Sequence, residues 1–154
     1  MDLTIRPYAS EDWPRLCAIH DAARRDELSA AGLTDAFLTL EQTYENEALF
    51  AGEVAVAELG GEVVGFVAYT TDEVTWLYVD PRRSRRGAGR ALLRHALTAT
   101  RGAISTEVLV GNEAALALYL SEGFRVARAV DGRLVGNEAY PASGYVLEHD
   151  GGAA

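Results

Sequence analysis

Apolar positions change period several times along the chain, and each change marks an element. Residues 3–8 (LTIRPY) have the character of a strand. Ser10 stands where a helix N-cap belongs, with Glu11 and Asp12 in the first turn, where acids favour the positive helix end. Trp13, Leu16, Cys17 and His20 then fall at i, i+3, i+4 and i+7, one face of a helix. His20, the polar member of that face, reads as a hydrogen-bonded edge residue ahead of a catalytic one. Gly32 breaks this helix, and Thr34 can cap a second one through Phe37, Leu38, Glu41 and Tyr44.

Two apolar runs, 54–59 and 63–70, flank Gly60-Gly61 and predict a β-hairpin. Residues 74–79 (VTWLYV) are a further strand, stopped by Asp80-Pro81. From Gly87 to about Thr100, Ala88, Ala91, Leu92, His95, Ala96 and Ala99 follow a helical period that Gly102 ends. Residues 103–110 predict a strand, and 112–124 (NEAALALYLSEGF) a short helix closed by Gly123. A strand over 124–130, a turn at Asp131-Gly132, a resumed strand and a last strand over 144–149 complete the pattern. The order β-α-α-β-β-β-α-β-α-β-β predicts an α+β domain: one mixed, mostly antiparallel sheet with helices on its faces. The domain is expected to span 1–149, with 150–154 a flexible tail.

Composition narrows the function. The 154 residues suit one domain with a core that needs neither disulfide nor metal. Cys17 is the only cysteine. The first residues lack a secretory pattern and no apolar run reaches the roughly 18 residues that span a bilayer, so a cytoplasmic protein is expected. Net charge is −9 and the chain has no lysine, and the acidic balance argues against nucleic-acid or anionic-membrane partners and favours cationic ones.

Against that balance, RRSRRGAGRALLR, residues 82–94, holds six arginines. It links a strand to a helix. Gly87 and Gly89 let a ligand approach the backbone, and unpaired amides at the helix start form an anion site. Arg85, Arg86 and Arg90 add charge that can pair with phosphate oxygens. The spacing fits neither a dinucleotide fingerprint nor a Walker loop. It reads as a phosphate cradle of another kind, the alternative being a solvated arginine-rich loop.

A second motif decides between them. Asn112, Ala115, Tyr119, Gly123 and Phe124 give N-x-x-A-x-x-x-Y-x-x-x-G-F. Together with LYVDPRRSRRGAGRALL, this resembles the GCN5-related N-acetyltransferase superfamily, over nearly the whole chain and most strongly at 76–124. The resemblance implies acetyl-CoA as co-substrate and no metal. It implies a pyrophosphate held by Arg85, Arg86, Gly87, Ala88, Gly89 and Arg90, and pantetheine lying along Leu77, Tyr78 and Val79 like an added strand. The fourth and fifth strands would splay to admit it, and an N–H near Leu77 to Val79 would polarise the acetyl carbonyl. Ser84 departs from the family, which usually has Gln or Arg there.

Acetyl transfer to an amine of pKa near ~10.4 needs a proton acceptor, and the departing thiolate can gain a proton. Tyr119 is the candidate acid, the alternative being a phenol packed at the helix–strand interface. Glu107, on the fifth strand, is the candidate base, in a position similar to the base glutamate of ribosomal-protein alanine acetyltransferases. The alternative is an exposed strand glutamate, with Glu73 acting through water. Asn112 reads as a cofactor contact or as the N-cap of the helix that follows. Asp26, Glu27, Glu41, Glu45 and Glu47 would draw an ammonium to the pocket mouth or form a solvated face. Tyr140 and Tyr145 border a loop expected beside the acceptor.

The expected protein is therefore an N-acetyltransferase. Its acceptor would be a primary amine of a small molecule or a protein N-terminus, attacked directly in a ternary complex, and homodimerisation is left open. A non-catalytic acyl-CoA-binding module of the same fold is the alternative.

Overall fold

The computed structural model describes residues 2–83 and 87–151. Its elements are β1 (Leu3–Pro7), α1 (Trp13–Ala30), α2 (Leu40–Thr43), β2 (Glu53–Leu59), β3 (Glu62–Tyr69), β4 (Val74–Val79), α3 (Ala88–Thr100), β5 (Ile104–Leu109), α4 (Glu113–Ser121), β6 (Arg125–Arg133) and β7 (Pro141–His149). The order is the one the periodicity predicts.

Strands β1-β2-β3-β4 form one arm and β5-β7-β6 another, every pair within an arm being antiparallel. The arms meet at the foot of β4 and β5. There Glu73 and Ser105 form a parallel bridge and the Ser105 N–H donates to Asp72 O over 2.9 Å. The Thr106 hydroxyl adds a bond to Val74 O at 2.9 Å. Above that foot the arms diverge, so the expected sheet is present as two sections that open like a V.

Apolar side chains close both faces of the first arm. On one side Ala88, Leu92, Leu93 and Ala96 of α3 pack with Val64, Val67, Ile104, Val108, Tyr119 and Leu147. On the other, Leu16 and Ile19 of α1 pack with Val56, Phe66 and Trp76. A smaller cluster of Leu28, Ala36 and Leu134 joins the end of α1 to the β6–β7 hairpin.

Several local expectations are corrected. Ser10 does not cap α1. Residues 10–12 are a 3-10 turn, and it is the Asp12 carboxylate that accepts the Ala9 N–H at 2.8 Å while pairing with Arg6. The second helix is shorter than expected. Residues 34–36 form another 3-10 turn, and α2 begins only after Thr39, whose hydroxyl accepts the Gln42 N–H at 3.3 Å while Gln42 Oε1 accepts the Thr39 N–H at 2.8 Å. Asp131-Gly132 is not a turn. Both residues lie inside β6, opposite Ser143 and Ala142, and the Ser143 hydroxyl donates to Asp131 at 2.5 Å. The chain turns instead at 134–140. Helix α3 ends with Arg101 in the left-handed region (φ 59°) rather than at Gly102.

Candidate active site

The V between the arms is a cleft of about 1070 Å³. Its walls are β4, the start of α3, β5, α4 and the C-terminal half of α1. β4 presents free main chain to it. The Asp80 N–H donates to Val64 O at 2.8 Å, so the residues in phase with it, Tyr78 and Trp76, direct their peptide groups to β3. Leu77 and Val79 direct theirs to the cleft. Thr75 is an extra residue against β3, between the pairs Ala68↔Trp76 and Tyr69↔Val74, and this bulge reverses the phase below it. That reversal is why Val74 O meets Thr106 across the foot of the V.

At the top of the cleft Gly87 caps α3 with φ 83°, a conformation that costs a side-chain-bearing residue, and lines the opening with Ala88, Gly89 and Arg90. The first amides of α3 therefore end beside the cleft, as an anion cradle requires. Arg85 and Arg86, expected in the same cradle, lie outside the described residues, as does Ser84. Arg90 lines the cleft, yet its guanidinium donates to the Ser121 hydroxyl at 3.0 Å and pairs with Glu122. Arg94 bonds the same carboxylate at 2.6 Å, and the two arginines hold the Glu122 carboxyl below the usual carboxylate range.

Tyr119 and Glu107 both line the cleft. Tyr119 is 5% exposed and stacks edge-on against Phe124 at 5.1 Å. Burial pushes its phenol up to about 12, the nearby Thr106 hydroxyl opposing and the Glu27 charge adding. Glu107 is exposed on β5, its side chain over Gly144 of β7. Glu73, the alternate base, sits at the foot of the V. Burial raises its pKa, and the charges of Asp72 and Glu107 raise it further.

Asn112 combines two roles. Its Oδ1 accepts the Ala115 N–H at 3.4 Å, so it is the N-cap of α4, and its Nδ2 donates to Glu27 Oε2 at 3.0 Å while it lines the cleft. Glu27 is thus no free acid awaiting an ammonium. Its other oxygen accepts the Tyr78 hydroxyl at 3.0 Å and pairs with Arg24. The sequence marked Glu27 only as one of several acids, because its partners come from β4 and α4, remote in the chain. Thr106 was missed altogether, although the period of two sets it opposite Glu107, towards the core.

Of the other acids, Asp26 lines the cleft, while Glu41 and Glu45 border an aromatic depression of Tyr8, Trp13, Tyr44 and Phe50 near the other end of α1. Glu47 lies half-buried against Gly136, and burial pushes it up to about 7 despite Arg24. Tyr140 donates to Asp35 O at 3.1 Å and Asn137 to Ala36 O at 2.9 Å, fastening the β6–β7 hairpin to the segment after α1. Tyr145 lies on β7 opposite Val108, within the strand expected over 144–149. His20 is buried, bonded to Asp21 at 2.9 Å and flanked by the rings of Tyr78 and Trp76, and burial lowers its pKa. No described helix is long and apolar enough to cross a membrane. Among the described residues no group of three His, Cys, Asp or Glu side chains could hold a metal ion.

The N-alpha-acetyltransferase RimI of Mycobacterium tuberculosis is 41% identical over 78 residues, 45% of this chain and 49% of that protein. The peptidyl-lysine N-acetyltransferase YjaB of Salmonella typhimurium is 37% identical over 65 residues, 42% of this chain and 44% of that protein. The chain spans about half the length of the curated relatives it matches. Among solved structures, the ribosomal-protein-S18-alanine N-acetyltransferase of Escherichia coli superposes with a TM-score of 0.75 at 22% identity, over 99% of this chain and 96% of that one. That likeness is one of fold. Residues 50–126, half of the chain, match the family model for the acetyltransferase (GNAT) domain, and on that match the chain belongs to the GNAT family.

Proposed function

We propose that the protein transfers an acetyl group from acetyl-CoA to a primary amine, of a small molecule or a protein N-terminus, by direct attack in a ternary complex. The observation that carries this reading is the V-shaped cleft, with the free main chain of Leu77 and Val79 on one wall and Glu107 and Tyr119 on the other. The residues present fit acetyl-CoA. Leu77 and Val79 can pair with an extended amide chain as a neighbouring strand does. Gly87, Ala88 and Gly89 offer helix-start amides to a pyrophosphate. A Cβ on Gly89 would come within 3.3 Å of Leu118, so a larger residue would press on the cradle.

Acetyl-CoA supplies the acetyl group as a thioester. Glu107 takes the ammonium proton, the neutral amine nitrogen then forms the new C–N bond as the C–S bond breaks, and the second proton, shed by that nitrogen, passes through solvent to the released thiolate. An N–H of Leu77 or Val79 steadies the carbonyl oxygen as it gains charge. The Tyr119 phenol faces the departing sulfur. Passing its proton from a pKa of about 12 to a thiol near ~8.5 would cost roughly 5 kcal/mol. Tyr119 therefore serves as a hydrogen-bond donor that stabilises the thiolate and keeps its own proton.

The test is release of free thiol from acetyl-CoA in the presence of an amine panel that includes peptides with free N-termini. Release that depends on one amine class supports the reading. Calorimetric binding of acetyl-CoA without transfer to any amine would replace it with the acyl-CoA-binding module.

A further inference from the structure

The two arms of the V are tied at the foot by main chain, through Glu73, Ser105 and the Thr106–Val74 bond. Among the described residues no ladder pairing joins β4 to β5 above that point. Among the described residues, a side chain from a third element bridges β4 and α4 at the open end. Glu27 of α1 accepts from Tyr78 of β4 with one oxygen and from Asn112, at the head of α4, with the other, each at 3.0 Å. Tyr78 lies four residues above Val74, roughly 13 Å along the strand at 3.3 Å per residue, so the tie acts far from the foot. Arg24, a turn earlier on α1, pairs with the same carboxylate and offsets its charge.

We propose that Glu27 is a positioning residue: a strap across the mouth of the V that sets the spacing of β4 from α4 and holds Tyr119 opposite the free main chain of Leu77 and Val79. Asn112 is the coupling point. Its amide gives its oxygen to the Ala115 N–H and its nitrogen to Glu27, so it cannot leave Glu27 without disturbing the cap. Tyr119 follows seven residues later, two helical turns, on the same face of α4 as Asn112. The proposal rests on the reading of the cleft as the acetyl-CoA site.

The donor inventory makes the test sharp. Glu27→Gln turns an amide N–H₂ towards the Asn112 N–H₂, and Asn112→Asp sets a carboxylate against a carboxylate. The double variant Glu27→Gln/Asn112→Asp restores a donor–acceptor pair, and Asp is as good an N-cap as Asn. Each single variant is expected to weaken acetyl-CoA binding in calorimetry about tenfold, and the double variant to return to within about threefold of the unaltered protein. In the protein without acetyl-CoA, hydrogen exchange at the Ala115 and Leu116 amides should quicken in each single variant and recover in the double. A residue that merely caps α4 predicts otherwise: Asn112→Asp would then match the unaltered protein. That result, or a double variant no better than its singles, overturns the strap. Tyr78→Phe removes one end of it without adding charge and should show a smaller loss of the same kind. The exchange readout needs no ligand, so a failed strap is distinguishable from a cleft that does not bind acetyl-CoA at all.

Discussion

Replacing Tyr119 by Phe isolates one hydroxyl. The ring keeps its edge-on contact with Phe124 at 5.1 Å, and Thr106 keeps its own bond to Val74 O. The fold should therefore lose no more than about 1 kcal/mol, the net worth of one hydrogen bond, and about 2–4 °C in Tm. Catalysis should lose more, because a hydrogen bond to a charged group is worth about 1.5–3 kcal/mol. For a bond made only as the thiolate forms, that loss appears in kcat, as about a tenfold to hundredfold decrease with little change in KM. The pH profile carries independent information. Burial holds the phenol near about 12, so the unaltered protein should show activity rising with pH as the base loses its proton, then a plateau to about pH 10 without an alkaline fall from Tyr119. The assay is thiol release from acetyl-CoA with a reactive amine, across about pH 6 to 10. A kcat in Tyr119→Phe within about twofold of the unaltered protein would refute the thiolate-stabilising role. So would an alkaline limb near the thiol's own ~8.5 that disappears in the variant.

Three further outcomes follow from the geometry. Glu107→Gln should cut kcat/KM by about 10²–10⁴-fold and flatten the rise with pH, whereas Glu73→Gln should leave most of the activity; the reverse ranking would make Glu73 the base. Glu47, pushed up from 4.5 to about 7, binds more protons folded than unfolded between those values, so its contribution to stability is lost as pH rises through that window. Glu47→Gln should therefore stabilise the protein at pH near ~8 by about 1–2 kcal/mol, a figure reduced for its partial exposure, and leave it unchanged near ~4, as read by denaturant melts at the two pH values. Gly111→Ala places a Cβ 2.6 Å from Ala30 O at a φ of 105°, and should cost about 2–4 kcal/mol in the same melts.

Element order was legible because β2 and β3 are short apolar runs bounded by turn signals, buried on both faces, while α3 keeps a 3.6 period with one face buried. It failed where tertiary pairing overrode a local signal. Asp-Gly is a strong turn dipeptide, yet β7 offers Asp131 and Gly132 ladder partners, and the chain turns later. The short α2 obeys the Thr39–Gln42 capping box, which the eye passes over because Thr34 offers an earlier cap. Of the residues that line the cleft, Glu107, Tyr119 and Asn112 stood out from motif spacing along β5 and α4. Glu27 and Glu122 were not. Each gains its role from partners on other elements, Glu27 from Tyr78 and Asn112, Glu122 from Arg90 and Arg94, and no periodicity encodes a contact between residues 28 to 85 positions apart.

The hairpin fastening has an evolutionary consequence. Asn137 and Tyr140 grip the carbonyls of Ala36 and Asp35, groups that every amino acid supplies. The exposed side chains of Thr34 and Asp35 can therefore drift without loosening that hold, whereas Ala36, buried against Leu28 and Leu134, is fixed by packing. A lineage can re-tailor these two exposed positions one substitution at a time while the cleft between the arms keeps its walls, so the outer surface can diversify faster than the cleft.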